Sequence, residues 1–370
     1  MKVLITGASG FIGKNLAVHL RERADVEVLS FVRGDDPALL GGLVAEADCI
    51  FHLAGVNRPQ NPDEFVSGNS DLTRIVCDAV AASNRKISLV YTSSTQADQD
   101  NPYGRSKLEA EKALSELADK NRINVHIFRL PNVFGKWARP NYNSAVATFC
   151  HNIAHGLPIH IHDESASLNL VYVDDVVRHF IEIMDGRISK ESAAVVQPVY
   201  STTVGALAAQ LQTFRESRST LISEAVGEGF VRALYSTYLS YLPPESFTYE
   251  VPKYGDPRGV FVEMLKTKDS GQFSYFTAFP GITRGGHYHH SKTEKFLVIK
   301  GTANFRFRHI DSGEFYELLT TGDLPKIVET VPGWTHDITN VGNDELIVML
   351  WANEIFDREH PDTYALSVCP

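Results

Sequence analysis

The chain has 370 residues, 43% of them hydrophobic and 22% charged, which excludes disordered, collagen-like and coiled-coil-rod architectures. The length favours two or three domains. With 45 acidic against 35 basic residues the net charge is −10, so the chain is a poor candidate for duplex nucleic acid, whose affinity rests on phosphate contacts; a small anion held by a few local cations is allowed.

In chain order, the first half alternates apolar strand-like runs with helical periodicity. Lys2–Thr6 reads as a buried parallel strand, the glycine-rich stretch 7–13 as a turn, and Asn15–Arg23 as a helix. Val26–Val32, Cys49–Leu53, Ile87–Thr92 and Asn124–Leu130 read as further strands, with a strong helix former at Leu108–Ala118. This rhythm predicts a doubly wound parallel sheet. It decays after about residue 185; Ser201–Leu242 reads as helical, and Leu242-Pro243-Pro244 as a boundary. Beyond it, short runs rich in Phe, Tyr, Val and Thr alternate with Gly and Pro turns, as at Phe273–Phe279, Lys295–Lys300 and Leu346–Trp351. That texture predicts an all-β jelly roll. The expected domains are 1–243 and 244–370.

Cys49, Cys77, Cys150 and Cys369 lie far apart with no CxxC, as in a reduced cytoplasmic protein. No apolar run approaches the roughly 18 residues of a spanning helix, and the opening MKVLITGASG lacks a signal peptide's long apolar core. Neither a membrane nor nucleic acid is expected as a partner.

The first motif is Gly7-Ala8-Ser9-Gly10-Phe11-Ile12-Gly13, between a strand and a helix. Glycines let the backbone approach a pyrophosphate, and the helix start supplies N–H groups and a positive dipole end. Arg33 follows the second strand, where an acidic residue would bind the ribose hydroxyls of NAD; an Arg suits a 2′-phosphate, so NADP(H) is expected. Tyr103 and Lys107 stand at i and i+4 on one helix face, where the ammonium would lower the phenol's pKa and make it a usable proton donor. Ser94, at a strand end, could hydrogen-bond a substrate carbonyl.

Over roughly residues 1–240 the chain resembles the extended short-chain dehydrogenase/reductase family. The resemblance is carried by Gly7, Gly10 and Gly13, by His52-Leu53-Ala54-Gly55, by Asn69 and Thr73, by Ser94, Tyr103 and Lys107, by Pro131–Gly135 and by Val173–Val176. It implies a Rossmann-type fold, a nucleotide-sugar substrate, and a catalytic set of Ser94, Tyr103 and Lys107. Cofactor contacts are then expected from the glycine loop, Arg33, Leu53, Ala54, Gly55 and Lys107. Ser94 and Tyr103 are nine residues apart, short for the family, which leaves Ser93 and Thr95 as alternatives to Ser94. Lys136 and Arg139 could meet the diphosphate or be solvated surface.

In the second half, His287, His289 and Glu294 lie on neighbouring strand-like runs, with His336 downstream. Imidazoles on one strand face plus a carboxylate from the next suit a divalent transition metal, zinc first. The run from Gly281 through His287, His289 and Glu294 to Gly301 matches the cupin signature, and Gly333, His336 and Asn340 match its second motif. A narrower resemblance, in Asp256-Pro257-Arg258-Gly259-Val260-Phe261-Val262-Glu263 and Arg284-Gly285-Gly286-His287, is to the keto-deoxyhexose epimerase branch of the cupins. It implies that Arg258, Glu263 and Arg284 hold the nucleotide sugar. There His287 would be the base that removes a proton beside a ketone, against its role as a metal ligand.

Reductase and cupin together resemble the bifunctional nucleotide-sugar enzymes of capsule and O-antigen synthesis. That resemblance implies C3 epimerisation of a UDP-2-acetamido-2,6-dideoxy-4-keto-hexose, NADPH-dependent reduction at C4, and a homodimer. The alternatives are a reductase whose cupin serves only dimerisation or sensing, and a metal-dependent oxygenase fused to a reductase.

Overall fold

The computed structural model describes residues 1–188, 195–251, 253–256, 259–262, 265–267, 271–354 and 359–369. Packing divides the chain into two compact units. One comprises Met1–Phe134, Asn141–Ser144 and Leu168–Thr202; the other comprises Gly135–Pro140, Ala145–Ser167 and Thr203–Pro370.

The first unit is built on β1 (Lys2–Thr6), α1 (Phe11–Arg21), β2 (Glu27–Phe31), α2 (Leu39–Glu46), β3 (Cys49–His52), α3 (Leu72–Ser83), β4 (Ser88–Ser94), α4 (Pro102–Asn121) and β5 (Val125–Leu130). The five strands form one parallel sheet in the order β2-β1-β3-β4-β5. Helices on both faces explain why β1 is apolar at successive positions. Val3 and Ile5 enter a core with Leu16, Leu20 and Phe180, whereas Leu4 enters one with Leu40, Val44 and Val76. The order reverses between β1 and β3, which opens the ligand crevice of such sheets at their carboxyl ends. The helix start that matters most is well specified: Asn101 caps α4, its side chain accepting the Gly104 N–H at 2.8 Å, and Pro102 fits the first turn. A π-helical turn at Val66–Asp71, which periodicity did not predict, precedes α3.

The chain continues through β6 (Asn132–Phe134), α5 (Ala145–Ala154), β7 (Ser167–Tyr172), α6 (Val173–Met184), β8 (Val199–Thr203), α7 (Val204–Thr220), β9 (Ile222–Ser223) and α8 (Gly229–Leu239). Strands β6, β7 and β8 form a small sheet. Helices α5, α7 and α8 pack together in the second unit.

The rest of the second unit is all β: β10 (Thr248–Glu250), β11 (Lys253–Asp256), β12 (Gly259–Val262), β13 (Lys266–Thr267), β14 (Gln272–Ala278), β15 (Thr283–Tyr288), β16 (Glu294–Lys300), β17 (Thr302–His309), β18 (Phe315–Thr321), β19 (Lys326–Glu329), β20 (Trp334–Asn340), β21 (Leu346–Ala352) and β22 (Tyr364–Ala365). Two five-stranded antiparallel sheets dominate, β10-β19-β16-β21-β14 and β18-β17-β20-β15-β22. Aromatic contacts join them, with Phe296 of the first 5.7 Å from Phe305 of the second. The expected α/β part followed by an all-β part is present. Among the described residues no helix is long and apolar enough to cross a membrane, and the four cysteines are free thiols.

Candidate active sites

In the first unit the expected residues gather at the strand ends. Gly7 has φ +73°, and a Cβ there would come within 2.7 Å of the Ala54 nitrogen. A Cβ on Gly13 would lie 2.1 Å from the Gly7 carbonyl oxygen. Both positions therefore require glycine for the loop to seat against Leu53-Ala54. Helix α1 starts at Phe11 with no side-chain cap, which leaves its first-turn N–H groups suited to a diphosphate. The Gly7 N–H donates to the Phe31 carbonyl at 2.8 Å and so brings the end of β2 beside the loop. There the Arg33 side chain is 88% exposed and lies 3.7 Å from the Glu64 carboxylate. The nearby Asp35 is occupied, accepting the Val32 N–H at 2.7 Å. Arg33 thus stands exposed at the end of β2, beside the carboxylates of Asp35 and Glu64.

Ser94 ends β4, its hydroxyl accepting the Gln96 N–H at 3.2 Å and lying close enough to Tyr103 to draw the phenol's pKa down. Ser93, one residue earlier, donates instead to Glu111, which Arg129 grips with Nε at 2.9 Å and an NH2 group at 2.7 Å. The alternation of the strand thus turns Ser94, not Ser93, toward the phenol. One expectation is corrected. Burial raises the Tyr103 phenol, and the neighbouring Ser94 hydroxyl acts the other way. The Lys107 Nζ instead donates to the Thr92 carbonyl at 2.9 Å and the Tyr91 hydroxyl at 3.2 Å. Burial pushes its pKa down to about 8, with the Glu111 carboxylate opposing.

A buried relay lies behind this site. Thr73 donates to the Asn69 carbonyl, so it accepts from Nε2 of His52 at 2.9 Å; Thr6 then donates to the opposite ring nitrogen at 2.6 Å. Burial, with the Lys107 charge, holds His52 neutral, its pKa down at about 3. The Asn69 side chain accepts the Val56 N–H and donates to the Val56 carbonyl and to Ser106 at 3.0 Å, which ties the π turn to the start of α4.

In the second unit the described ligand atoms of His287, His289, Glu294 and His336 all lie within 4.8 Å of one another. The two-glycine run before His287 explains how. Gly285 and Gly286 have φ +100° and +76°, and the β15–β20 register shifts between Gly285 and His287. This bulge sets His287 directly opposite His336, their ring centroids 4.7 Å apart. His289 Nε2 faces Glu294 Oε2 at 3.2 Å, and His336 Nε2 lies 3.5 Å from the same oxygen. Both ring nitrogens of His336 are buried and make no hydrogen bond.

The electrostatics favour a cation at this point. Burial alone would raise the Glu294 carboxyl, but the facing His289 and His336 rings hold it well below the usual range. Burial and the neighbouring imidazoles push His287 down to about 3, so it offers a lone pair. The opposite nitrogen of His289, Nδ1, donates to the Asp362 carbonyl. Its Nε2 therefore meets the carboxylate only across a proton or a metal ion. Three imidazoles, one carboxylate and orphaned buried nitrogens fit a divalent transition metal.

Arg284 is exposed, its Nε donating to the Thr277 carbonyl at 3.0 Å. Arg258 and Glu263 lie outside the described residues. In the second unit Lys136 is buried with its Nζ 5.4 Å over the Trp137 ring, and Arg139 is exposed. Sequence reasoning missed Asp362 and the His52 relay. Asp362 carries no motif; His52 and Thr73 were visible as motif letters, without the hydrogen bonds that join them.

Two family descriptions match. "NAD dependent epimerase/dehydratase family" covers residues 3–192, and "Polysaccharide biosynthesis C-terminal domain" covers residues 254–364. The chain belongs to the NAD dependent epimerase/dehydratase family. UDP-2-acetamido-2,6-beta-L-arabino-hexul-4-ose reductase of Pseudomonas aeruginosa is 62% identical over 368 residues, covering 100% of this chain and 99% of that protein. The crystal structure of the capsular polysaccharide assembling protein CapF from Staphylococcus aureus is 42% identical, with full coverage of both chains and a TM-score of 0.69. A UDP-glucuronic acid 4-epimerase from Bacillus cereus in complex with NAD matches 58% of this chain at 19% identity and a TM-score of 0.52, a likeness of fold alone.

Proposed function

We propose that this chain is a cytoplasmic, homodimeric bifunctional enzyme acting on a UDP-2-acetamido-2,6-dideoxy-4-keto-hexose. Residues 244–370 form the cupin domain that inverts C3, and residues 1–243 form the reductase domain that reduces the C4 ketone with NADPH. The product is UDP-2-acetamido-2,6-dideoxy-talose, a precursor of N-acetyl-L-fucosamine in capsule or O-antigen. The observation that carries this reading is end-to-end similarity, at 62% identity, to a reductase named for such a hexul-4-ose.

In the reductase domain, NADPH supplies the hydride when bound. Tyr103 donates its proton to the C4 oxygen as that hydride reaches carbon, so the ketone becomes an alcohol. Ser94 holds the same oxygen, and burial keeps the phenol protonated until transfer. Lys107, pinned on Thr92 and Tyr91, gives the crevice a positive charge that favours the developing alkoxide. Arg33 is assigned to the 2′-phosphate, and the Gly7–Gly13 loop with Leu53–Gly55 to the rest of the cofactor.

In the cupin domain, His287, His289, Glu294 and His336 would hold zinc, which supplies Lewis acidity for a ketone oxygen. A proton beside the ketone leaves to a base and returns on the opposite face, so atoms balance without a redox change. His287 is assigned as a ligand because it converges with the other three. Arg284, with Arg258 and Glu263, is assigned to the nucleotide sugar.

The name of the 62% identical relative states a reduction only. That favours, as a second reading, a reductase whose cupin is a dimerisation or sensing module. The test is NADPH consumption with the 4-keto sugar, the product's stereochemistry read by NMR. A talo product supports the proposal. Reduction without inversion supports the second reading, and no NADPH oxidation with any UDP-4-keto sugar contradicts both.

A further inference from the structure

The turn that follows His289 is held by a residue far along the chain. Asp362 Oδ1 accepts the His290 N–H at 2.9 Å, across 72 positions of sequence. Its Oδ2 accepts the Ser291 N–H at 2.8 Å, the Lys292 N–H at 2.7 Å and the Ser291 hydroxyl at 3.0 Å. Three successive backbone donors and one hydroxyl thus converge on a single carboxylate, and the backbone carbonyl of the same residue accepts from His289 Nδ1. Because a carbonyl only accepts, that bond places the proton on Nδ1 and turns Nε2 toward Glu294. The flanking backbone is zipped onto the ligand strand. Tyr364 and Ala365 pair with Tyr288 and His287, and the Leu366 N–H donates to the Gly286 carbonyl at 2.9 Å.

We propose that Asp362 is a positioning residue for the metal centre: its carbonyl orients the His289 ring, and its carboxylate closes the turn between His289 and Glu294. This rests on the metal-site reading above. Substitution keeps the carbonyl but removes the carboxylate that fixes the segment carrying it, and loss of such outer-shell support for an imidazole ligand commonly lowers metal affinity by roughly 10–100-fold. Asp362 is not the turn's sole support. Arg232 donates to the Ser291 hydroxyl at 2.6 Å, and the Ser236 hydroxyl donates to the Ser291 carbonyl at 2.7 Å. The turn is therefore expected to survive substitution while the ligand's aim loosens.

The experiment uses the full chain as wild type, Asp362→Ala and the near-isosteric Asp362→Asn. Zn2+ affinity is measured by chelator competition, and the visible absorption bands of bound Co2+ are recorded at saturation. The expected results are one Zn2+ per wild-type chain, roughly 10–100-fold weaker binding by Asp362→Ala, and loss in the same direction for Asp362→Asn. Cobalt bands should shift in both variants even when fully loaded. Affinity within twofold of wild type, or weaker binding with unchanged cobalt bands, overturns the inference, the latter because it signals a merely structural role. A wild type that binds no zinc removes the metal reading itself, whereas a zinc-binding wild type matched by Asp362→Ala removes this inference alone.

Discussion

The crevice of the first unit and the histidine cluster of the second handle buried polar groups in opposite ways. Around Tyr103 the protein supplies the partners: Lys107 rests on Thr92 and Tyr91, His52 on Thr6 and Thr73, and Asn69 on Val56 and Ser106. Such a network is preorganised, and it changes little when a substrate arrives. Around His336 the protein leaves two ring nitrogens without hydrogen bonds and aims two imidazoles at one carboxylate oxygen. On the proposed reading such a cluster is completed by a cation. The first site is thus satisfied by the protein's own groups, whereas the second leaves buried nitrogens facing a carboxylate.

The largest expected effect breaks one side of the comparison only. Tyr103→Phe should cut the rate of C4 reduction by roughly 10²–10⁴-fold, the usual worth of a positioned acid. Proton exchange at C3 should continue, and NADPH oxidation with parallel NMR would show the split. The converse variant, His289→Ala, should abolish C3 exchange while an already epimerised ketone is still reduced. Loss of both activities in either variant would mean that the two sites do not work separately.

Smaller effects sharpen the account of the crevice. Arg33→Ala should raise KM for NADPH by roughly 10–100-fold, the worth of a charge-assisted hydrogen bond of about 1.5–3 kcal/mol, and leave KM for NADH unchanged. The Lys107 pKa of about 8 sets a pH limit. A lysine with a depressed pKa carries its proton below that value and loses it above. Steady-state kcat/KM for reduction should therefore fall up to tenfold per pH unit above about pH 8. The smallest effect is on stability. Thr73→Val leaves the His52 Nε2–H without an acceptor and should cost about 1–3 kcal/mol in urea unfolding.

What could be read in the amino-acid sequence follows the same divide. Ser94, Tyr103 and Lys107 sit on one strand, turn and helix, so local spacing carries their geometry, and the glycine loop is visible because only glycine fits at Gly7 and Gly13. The parallel sheet was legible because its strands are buried on both faces. The spacing of His287, His289, Glu294 and His336 is legible in the sequence, but their convergence depends on a bulge at Gly285–Gly286 and on pairing with β20, which no local pattern announces. The contacts of Asp362 have no signature in the sequence, since they form only once β22 lies beside β15. Lys107 stands one helical turn from Tyr103, as the i, i+4 spacing dictates, but the neighbouring strand decides whom the ammonium touches.

The most direct test of the central claim, that one chain carries out both chemistries, is a single reaction in deuterium oxide. It contains the protein, NADPH and a UDP-2-acetamido-2,6-dideoxy-4-keto-hexose, with the product read by NMR. The account predicts deuterium at C3 and unlabelled hydrogen delivered to C4. Reduction at C4 with no carbon-bound deuterium would contradict it and leave a reductase whose second half performs no proton transfer.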